Sequence, residues 1–559
     1  LKTRGICAAL VVCSLMLGAS VAAWAEDVAF PEVTDAKVVR DDWYGIFAEG
    51  KKIGYSNVRV SEIRCDEKPC LLIETIEVDS MKAGDKEIKR EQTDRAIVEK
   101  MDFAPMYHSS VTAATLFKSS VIAKAEKGKD CWKLTVTRTF NDKSATETKD
   151  IPSKGFVYFD SSLRAVYREL YLKSKISVTF HVFDLDNTGA RDKNFGYGGE
   201  RTEGEGDKAV TYQLLQDAQA TLWYAPDGTV ARLVFGDNTL AGILTDEKSA
   251  LDPGAKMEDY KAPDYITGNV MTAKPLGVKL TRPNDSWVVM NLFEQGGFVV
   301  ADYFNEASIG AIVFSGVPKG VDSAAALARM REIYKGRYTL GDGQEVDAGK
   351  NKCLRGALTA NSALGADNGE YFIFMPEGRA VCIVAAASGD TYAAMRKDLA
   401  ECVNSIEFVA PEVDEAKLIV TDGLTGLQMR RPGAGWMVIT GGAAQGTNIL
   451  IVHAWTQSRI TVRDMPANPK LTADTFIKEV TGGAPSLGGG DFKAGEYQGK
   501  WVDIETAQGD ATLVFRFAAI SRENDLIFIQ CQAAKENWEA LKPDIDAMIQ
   551  SLNFEEQKP

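Results

Sequence analysis

The sequence predicts an α+β protein in three folded parts, and three observations carry that prediction. One stretch occurs twice: Gly277 opens GVKLTRPNDSWVVM and Gly426 opens GLQMRRPGAGWMVI, aligned without a gap, so that Arg282, Pro283 and Trp287 match Arg431, Pro432 and Trp436. About 120 residues further on each copy closes alike, with ECVNSIEF ending at Phe408 and AMIQSLNF ending at Phe554; a unit of this length is a whole domain rather than a solenoid repeat. Ahead of the copies, residues 26–252 read as one strand after another around a single helical segment.

Composition agrees. A chain of 559 residues with 45% apolar and 25% charged side chains is globular material, long enough for several cores. Residues 1–25 read as a secretory signal peptide: Lys2 and Arg4 are basic, Ile6 to Val21 is apolar, and Ala23-Trp24-Ala25 is a cleavage site. The protein is therefore expected to be periplasmic or secreted, cut after Ala25, and without a later transmembrane segment. Without those residues the charge falls from −14 to −16, 62 basic against 78 acidic, which argues against nucleic acid as a partner.

The first domain, 26–252, opens with Trp43 to Phe47, turns at Glu49-Gly50 and continues through Ile53 to Tyr55. Leu71 to Val78, Cys131 to Phe140, Ile176 to Phe183 and Ala220 to Tyr224 alternate as strands, and Asp227-Gly228 turns the chain back toward Val230. Leu163, Val166, Tyr167, Leu170 and Tyr171 fall at helical spacing, with Asp160 or Ser161 as cap. A long antiparallel sheet with one helix buries its apolar face by curving around that helix. The charged, Gly-rich run from Gly196 to Lys208 has no period and is expected to be a mobile loop.

After a linker at 253–275, each copy (276–409, then 423–555 beyond a second linker at 410–422) follows one plan. Val278 and Leu280, or Leu427 and Met429, share one strand face, and Pro283 or Pro432 ends that strand for want of an N–H. Trp287 or Trp436 opens the next. A helix carries Leu327, Met330 and Tyr334, or Phe476, Ile477 and Val480 between Thr472 as cap and Gly482 as stop. Three strands follow, then a closing helix with Tyr392, Met395, Leu399 and Val403, or Trp538, Leu541, Ile545 and Ile549, where Pro543 is expected to kink or restart it.

These segments carry family resemblances. WYGIFAEGKKIGYS and TLWYAPDGTVARLVF resemble the β-rich segment that precedes the catalytic domain of some bacterial transglutaminase-like proteins, and the architecture is similar to the half-barrel of periplasmic lipoprotein carriers. No Cys–His–Asp set follows, so transglutaminase activity does not come with the likeness. The R-P-x-x-x-W start and S-[IL]-x-F end resemble the PsbP-like family, which implies two tandem α/β/α sandwiches with antiparallel sheets. It also implies binding or scaffolding more than catalysis.

Chemistry-bearing residues are sparse. His108, His181 and His453 are far apart in sequence and show no metal-ligand spacing. Asp184-Leu185-Asp186-Asn187-Thr188-Gly189 resembles half of a calcium loop, but Phe195 stands where the bidentate Glu belongs. Phe195-Gly196-Tyr197-Gly198-Gly199 and Gly488 to Gly490 lack the partners of a phosphate loop and read as loops. Of nine cysteines, Cys65 and Cys70 flank Asp66-Glu67-Lys68-Pro69 and are expected to form a disulfide across a four-residue hairpin loop. Cys353 and Cys382 are expected to be kept apart by an intervening strand. Trp43, Tyr44, Tyr55, Trp223 and Tyr224 either pack as core or line a cavity for an apolar ligand.

The expectation is an exported, non-catalytic envelope or secreted binding protein with an unknown protein partner or an apolar small molecule, and no cofactor, metal or catalytic residue. The alternatives are a periplasmic carrier of a hydrophobic ligand in the first domain and a hydrolase-type enzyme using clustered carboxylates.

Overall fold

The computed structural model describes residues 28–554 apart from 84–85, 142, 154, 187, 218–219, 236–238, 258–262, 294–295, 303, 336–337, 361–367, 388–390, 423–424, 434, 440–448, 467–471, 510 and 523–524. The signal segment 1–25 lies outside the described residues. No helix among them is long and apolar enough to cross a membrane.

Strands joined by short turns pair with their sequence neighbours, and the first domain follows that rule through a 14-stranded antiparallel sheet. Eight strands from Lys37–Ala48 to Lys143–Pro152 form one meander, and six from Val178–Asp184 to Leu240–Thr245 form another. Strand 37–48 pairs strand 240–245 and joins the two, so both edges belong to strands adjacent in sequence. Between those edges the chain sends helix Leu163–Leu170 into the concave side. Leu163, Val166 and Tyr167 pack there on Val60, Ile73 and Val98 of one meander and on Phe180, Leu222 and Tyr224 of the other. The curved sheet wraps a helix, as the sequence predicts.

Several local expectations give way. Residues 196–203 belong to strand Gly189–Glu203, where Tyr197 pairs Leu215 and Arg201 pairs Tyr212. That strand is exposed on much of its length, so no alternation marks it, and apart from buried Phe195 it is ordered mainly by its backbone pairing. Gly488 to Gly490 likewise lie in strand Ser486–Ala494. The helix is entered through a 3-10 turn at Asp160–Ser162, and Ser162 occupies the cap position without a side-chain cap bond, because its hydroxyl donates back to the Phe159 carbonyl at 2.7 Å. The Cys65–Cys70 hairpin closes over two residues, Asp66 and Glu67, both with left-handed φ. Cys65 then pairs Lys68 and Cys70 pairs Ile63, so the cysteines sit diagonally, and both are free, buried thiols. Such diagonal neighbours are ~7–8 Å apart in Cα, beyond the usual span of a disulfide.

Both copies are α/β/α sandwiches with antiparallel sheets. In the first, the strand order 287–292, 297–302, 307–315, 379–387, 368–374, 351–360 carries helix Ser323–Ile333 on one face and Thr391–Asn404 on the other. Ile309, Ala311 and Val313 face the second helix, while Ile312 and Phe314 face the first. The copy-two sheet repeats this order, with helices Ala473–Thr481 and Lys535–Gln550. Thr472 and Gly482 bound the first of these as predicted. Pro543 does not restart the second, which runs unbroken over Lys535–Gln550: its exposed ring lies between buried Leu541 and Ile545, which pack on the sheet. Strand 368–374 separates Cys353 from Cys382. Parts of both linkers are ordered: 270–273 and 419–421 are strands that pair 278–281 and 427–430.

The duplicated motifs explain themselves as pins. Arg282 donates to the Trp287 carbonyl at 2.6 Å, and Arg431 donates to the Trp436 carbonyl at 2.8 Å, closing the same turn in each copy. The serine of the closing motif accepts from the opening strand, Thr281 N–H to Ser405 at 2.8 Å and Arg430 N–H to Ser551 at 2.9 Å. Phe408 and Phe554 then pair Val278 and Leu427. Start and end motifs are conspicuous because they touch.

Candidate functional site inside the half-barrel

Cross-strand register places side chains in rows on one face of a sheet. Asp42, Val58, Thr75, Asp94 and Ser110 are successive register partners, and two residues along lie Tyr44, Ser56, Glu77, Gln92 and Thr112. A third row carries Ile46, Gly54, Asp79 and Arg90. In the opposite direction the next row holds Val60 and Ile73, which pack on the helix, so all these rows face the concave interior. The half-barrel is therefore apolar under its helix and polar along an adjoining belt.

Three of the belt's four carboxylates, Asp42, Glu77 and Asp79, are paired with arginines, and Asp94 takes an amide instead. Arg90 contacts Glu77 at 3.0 Å and Asp79 at 3.6 Å and also bonds Gln92, whose amide donates to Asp94 at 2.7 Å. Arg40 pairs with Asp42. Asp79 is fully buried, and Gly54 opposite makes its room: a Cβ there would lie 2.4 Å from the Asp79 carboxylate and 2.2 Å from the Val78 carbonyl. Asp42, Thr75, Glu77, Gln92, Asp94 and Ser110 are only half-buried, so water reaches the belt.

Beyond the third row, the first copy closes the mouth of the half-barrel. Val288 and Phe304 are buried against Tyr44, Ile46, Ala48 and Ile53. Around them Arg282 pairs with Glu49, the Thr239 hydroxyl donates to the Val289 carbonyl at 2.7 Å, and Lys51 meets Asp285 at 2.6 Å. The second copy docks on the first through the equivalent positions. Val288 and Met437 each follow the motif tryptophan, and Phe304 and Trp455 each lie two residues past its cross-strand partner. Met437 and Trp455 join the core of copy one, with the Trp455 ring 5.8 Å from Phe314.

The residues singled out from sequence do not converge. His108 sits one row inward of the belt, buried, with Nδ1 3.1 Å from the Ser161 hydroxyl and its ring against Phe159. Burial lowers its pKa against the opposing pull of Asp94 and Asp160. His181 pairs with Asp192 on the surface, and His453 lies buried beside Trp436 in the second copy. Trp43 and Tyr55 stack on the outer face, as does Trp223 between Arg201 and Arg232; Tyr44 and Tyr224 point inward. Tyr224 packs on Tyr167 of the helix, 6.0 Å between rings, which is the core-packing outcome. The half-calcium stretch is a hairpin turn in which Asp184 accepts the Asp186 N–H at 3.2 Å, while Asn187 lies outside the described residues and Phe195 is core. Burial and Asp184 raise the Asp186 pKa to about 7. No group of three or more potential metal ligands occurs among the described residues. Sequence reading missed the belt, because its members come from strands as far apart as Asp42 and Thr112 and only register assembles them.

No family model matches the chain, and no curated protein matches it. Among solved structures it is similar to PsbP of the cyanobacterium Synechocystis sp. PCC 6803 at 14% identity and TM-score 0.20, covering 24% of this chain and 91% of that one. LpqN, described as involved in cell envelope biogenesis of Mycobacterium tuberculosis, is similar at 8% identity and TM-score 0.20, covering 24% and 88%. A protein of Bacteroides thetaiotaomicron VPI-5482 is similar at 13% identity and TM-score 0.19, covering 24% and 46%.

Proposed function

We propose that the protein is an exported, non-catalytic binding and interaction protein of the cell envelope, with the half-barrel belt as its ligand surface. The observation that carries this reading is the belt itself: a water-reached row of carboxylates, arginines, amide and hydroxyls inside a concave sheet, between a helix and a docked sandwich. The carrier reading is less well supported, because Leu163, Val166 and Tyr167 already occupy the apolar part of the interior. An acyl chain laid on the belt would strip water from Arg90 and Glu77, at a cost of several kcal/mol. Within the belt the hydrolase reading is not favoured, because Arg90 lies between Glu77 and Asp79 as their counter-ion, and Asp186, the carboxylate raised to about 7, lies outside the belt.

The test is native mass spectrometry of the mature protein after incubation with extracted envelope components, read before and after prolonged incubation. A bound species recovered unchanged, and lost in a Gln92→Ala/Asp94→Asn variant, is the expected result. A species consumed with time would replace binding by catalysis. Fractionation of cells producing the chain with and without residues 1–25 checks export.

A further inference from the structure

We infer that the belt takes a neutral, polyhydroxylated ligand of the sugar class, an inference that rests on the belt being the ligand surface. The pairing of its charges decides the class. An organic cation would have to compete with Arg90 for Glu77 and Asp79, with Arg40 for Asp42, and with the Gln92 amide for Asp94. An anion would have to displace those same carboxylates from the two arginines, against a chain of net charge −14. Breaking a half-buried pair leaves a charge stranded, which is more costly than the new contact returns. A neutral polyol breaks neither pair. Ionised carboxylates retain several acceptor sites each, guanidinium groups several donors, and the half-buried Thr75 and Ser110 hydroxyls can turn to give either. Hydroxyl groups, which donate and accept at once, match that mixture. Charge-assisted bonds from groups already held in place strengthen the match, because little side-chain freedom remains to be lost.

The geometry sets the size. Three rows along the strands span two steps of two residues, about 13 Å at the usual rise per residue. Across the strands, Asp42 to Ser110 spans four gaps, about 19 Å. The row from Asp42 to Ser110 matches the length of an oligosaccharide of a few rings lying across the strands, with the Gln92 amide and the Asp94 carboxylate on the fourth of the five strands.

The full mature chain, labelled, is applied to a panel of immobilised neutral oligosaccharides that includes hexoses, N-acetylhexosamines and pentoses. Spermidine, inorganic phosphate and laurate are tested in parallel by thermal shift. Retention on one or more neutral sugars is expected, with affinity reduced by roughly tenfold to a hundredfold in Gln92→Ala and Asp94→Asn, each losing one or more bonds to a charged or amide group. Circular dichroism and melting of both variants confirm that the sheet is intact, and Arg59→Ala on the outer face should bind as the parent does. No retained sugar, or retention that the belt variants leave unchanged, overturns the inference. Binding of spermidine, phosphate or laurate that those variants abolish would also overturn it, while leaving the belt as a ligand surface. Ligand binding of any class that ignores the belt variants would overturn both.

Discussion

Replacing Phe304 by alanine should separate the half-barrel from the first sandwich without unfolding either. The Phe304 ring is fully buried, and the side chains it meets, Tyr44, Ile46, Ala48 and Ile53, belong to the half-barrel rather than to its own domain core. Truncating a buried aromatic to alanine costs about 3–5 kcal/mol. Val288 stays buried at the junction but is the smaller side chain, contributing about 1.5–3 kcal/mol. The Lys51–Asp285 pair is exposed, where such pairs contribute ~0–1 kcal/mol, and the bond from Thr239 to the Val289 carbonyl contributes about 1 kcal/mol. The Arg282–Glu49 pair stays, but Arg282 is also satisfied by its own turn. The docking equilibrium constant should therefore fall by roughly two to four decades. Calorimetry of Phe304→Ala should show the half-barrel melting apart from the two sandwiches. Small-angle scattering should show a larger radius of gyration, and trypsin should cut near Lys256 or Lys274. Trp455→Ala provides the matched control, loosening the second junction while leaving 253–275 protected. One cooperative transition with unchanged scattering in Phe304→Ala would show that the wedge does not hold the domains together.

Other consequences are as direct. Arg516 is buried between Trp501 and Trp538, bonded to buried Asp503 at 2.7 and 2.9 Å and to Asp546; Arg516→Met should destabilise the second sandwich by about 3–5 kcal/mol in urea unfolding. The double variant with Asp503→Leu should recover most of that loss, since the carboxylate left without Arg516, Asp546, is exposed to water. Gly54→Ala should lower the melting temperature of the half-barrel by displacing Asp79, at a cost of about 1–3 kcal/mol. Asp186 is held up to about 7, above its ordinary 3.8, by burial first and by Asp184 second, so the folded protein binds its proton more tightly than the unfolded chain does. Its contribution to stability is therefore present below about pH 4 and lost as pH rises through about 7; Asp186→Asn should flatten that part of the stability profile, followed by denaturation at stepped pH. Thiol titration of the denatured chain from residue 26 onward should count seven cysteines, Cys65 and Cys70 included, where a bond between them would leave five.

How much of this was legible depended on whether the determining contacts were local. Helix 473–481 was readable to its ends because Thr472 and Gly482 cap it within its own sequence. The strands 131–140 and 220–224 were readable because each buries one face against a core and so alternates. Strand 189–203 was not, because its pairing with 210–216 engages backbone atoms that no side-chain pattern reports. Pro543 argued for a broken helix, yet the sheet beneath Leu541 and Ile545 outweighed the one lost backbone bond. The cysteine pair failed on a single step of register: two turn residues in place of four moved Cys70 from facing Cys65 to facing Ile63.

The candidate site lies at the far end of that scale. Glu77 and Arg90 sit in strands that read as ordinary solvated alternation, and nothing in either segment marks its polar face as the inner one. That assignment is made by the helix 163–170, which covers Ile73, four residues from Glu77 on the same strand, and its cross-strand partner Val60, and so fixes which face is concave. A one-residue shift in any of those pairings would turn Asp79 to solvent and remove the reason for Gly54. The glycine is therefore the one local trace of the belt: a strand residue without a side chain, placed where its cross-strand neighbour is a buried carboxylate. The duplicated motifs, conspicuous in sequence, build the two sandwiches, and the unobtrusive residues beside them, Val288 with Phe304 and Met437 with Trp455, set how the sandwiches dock.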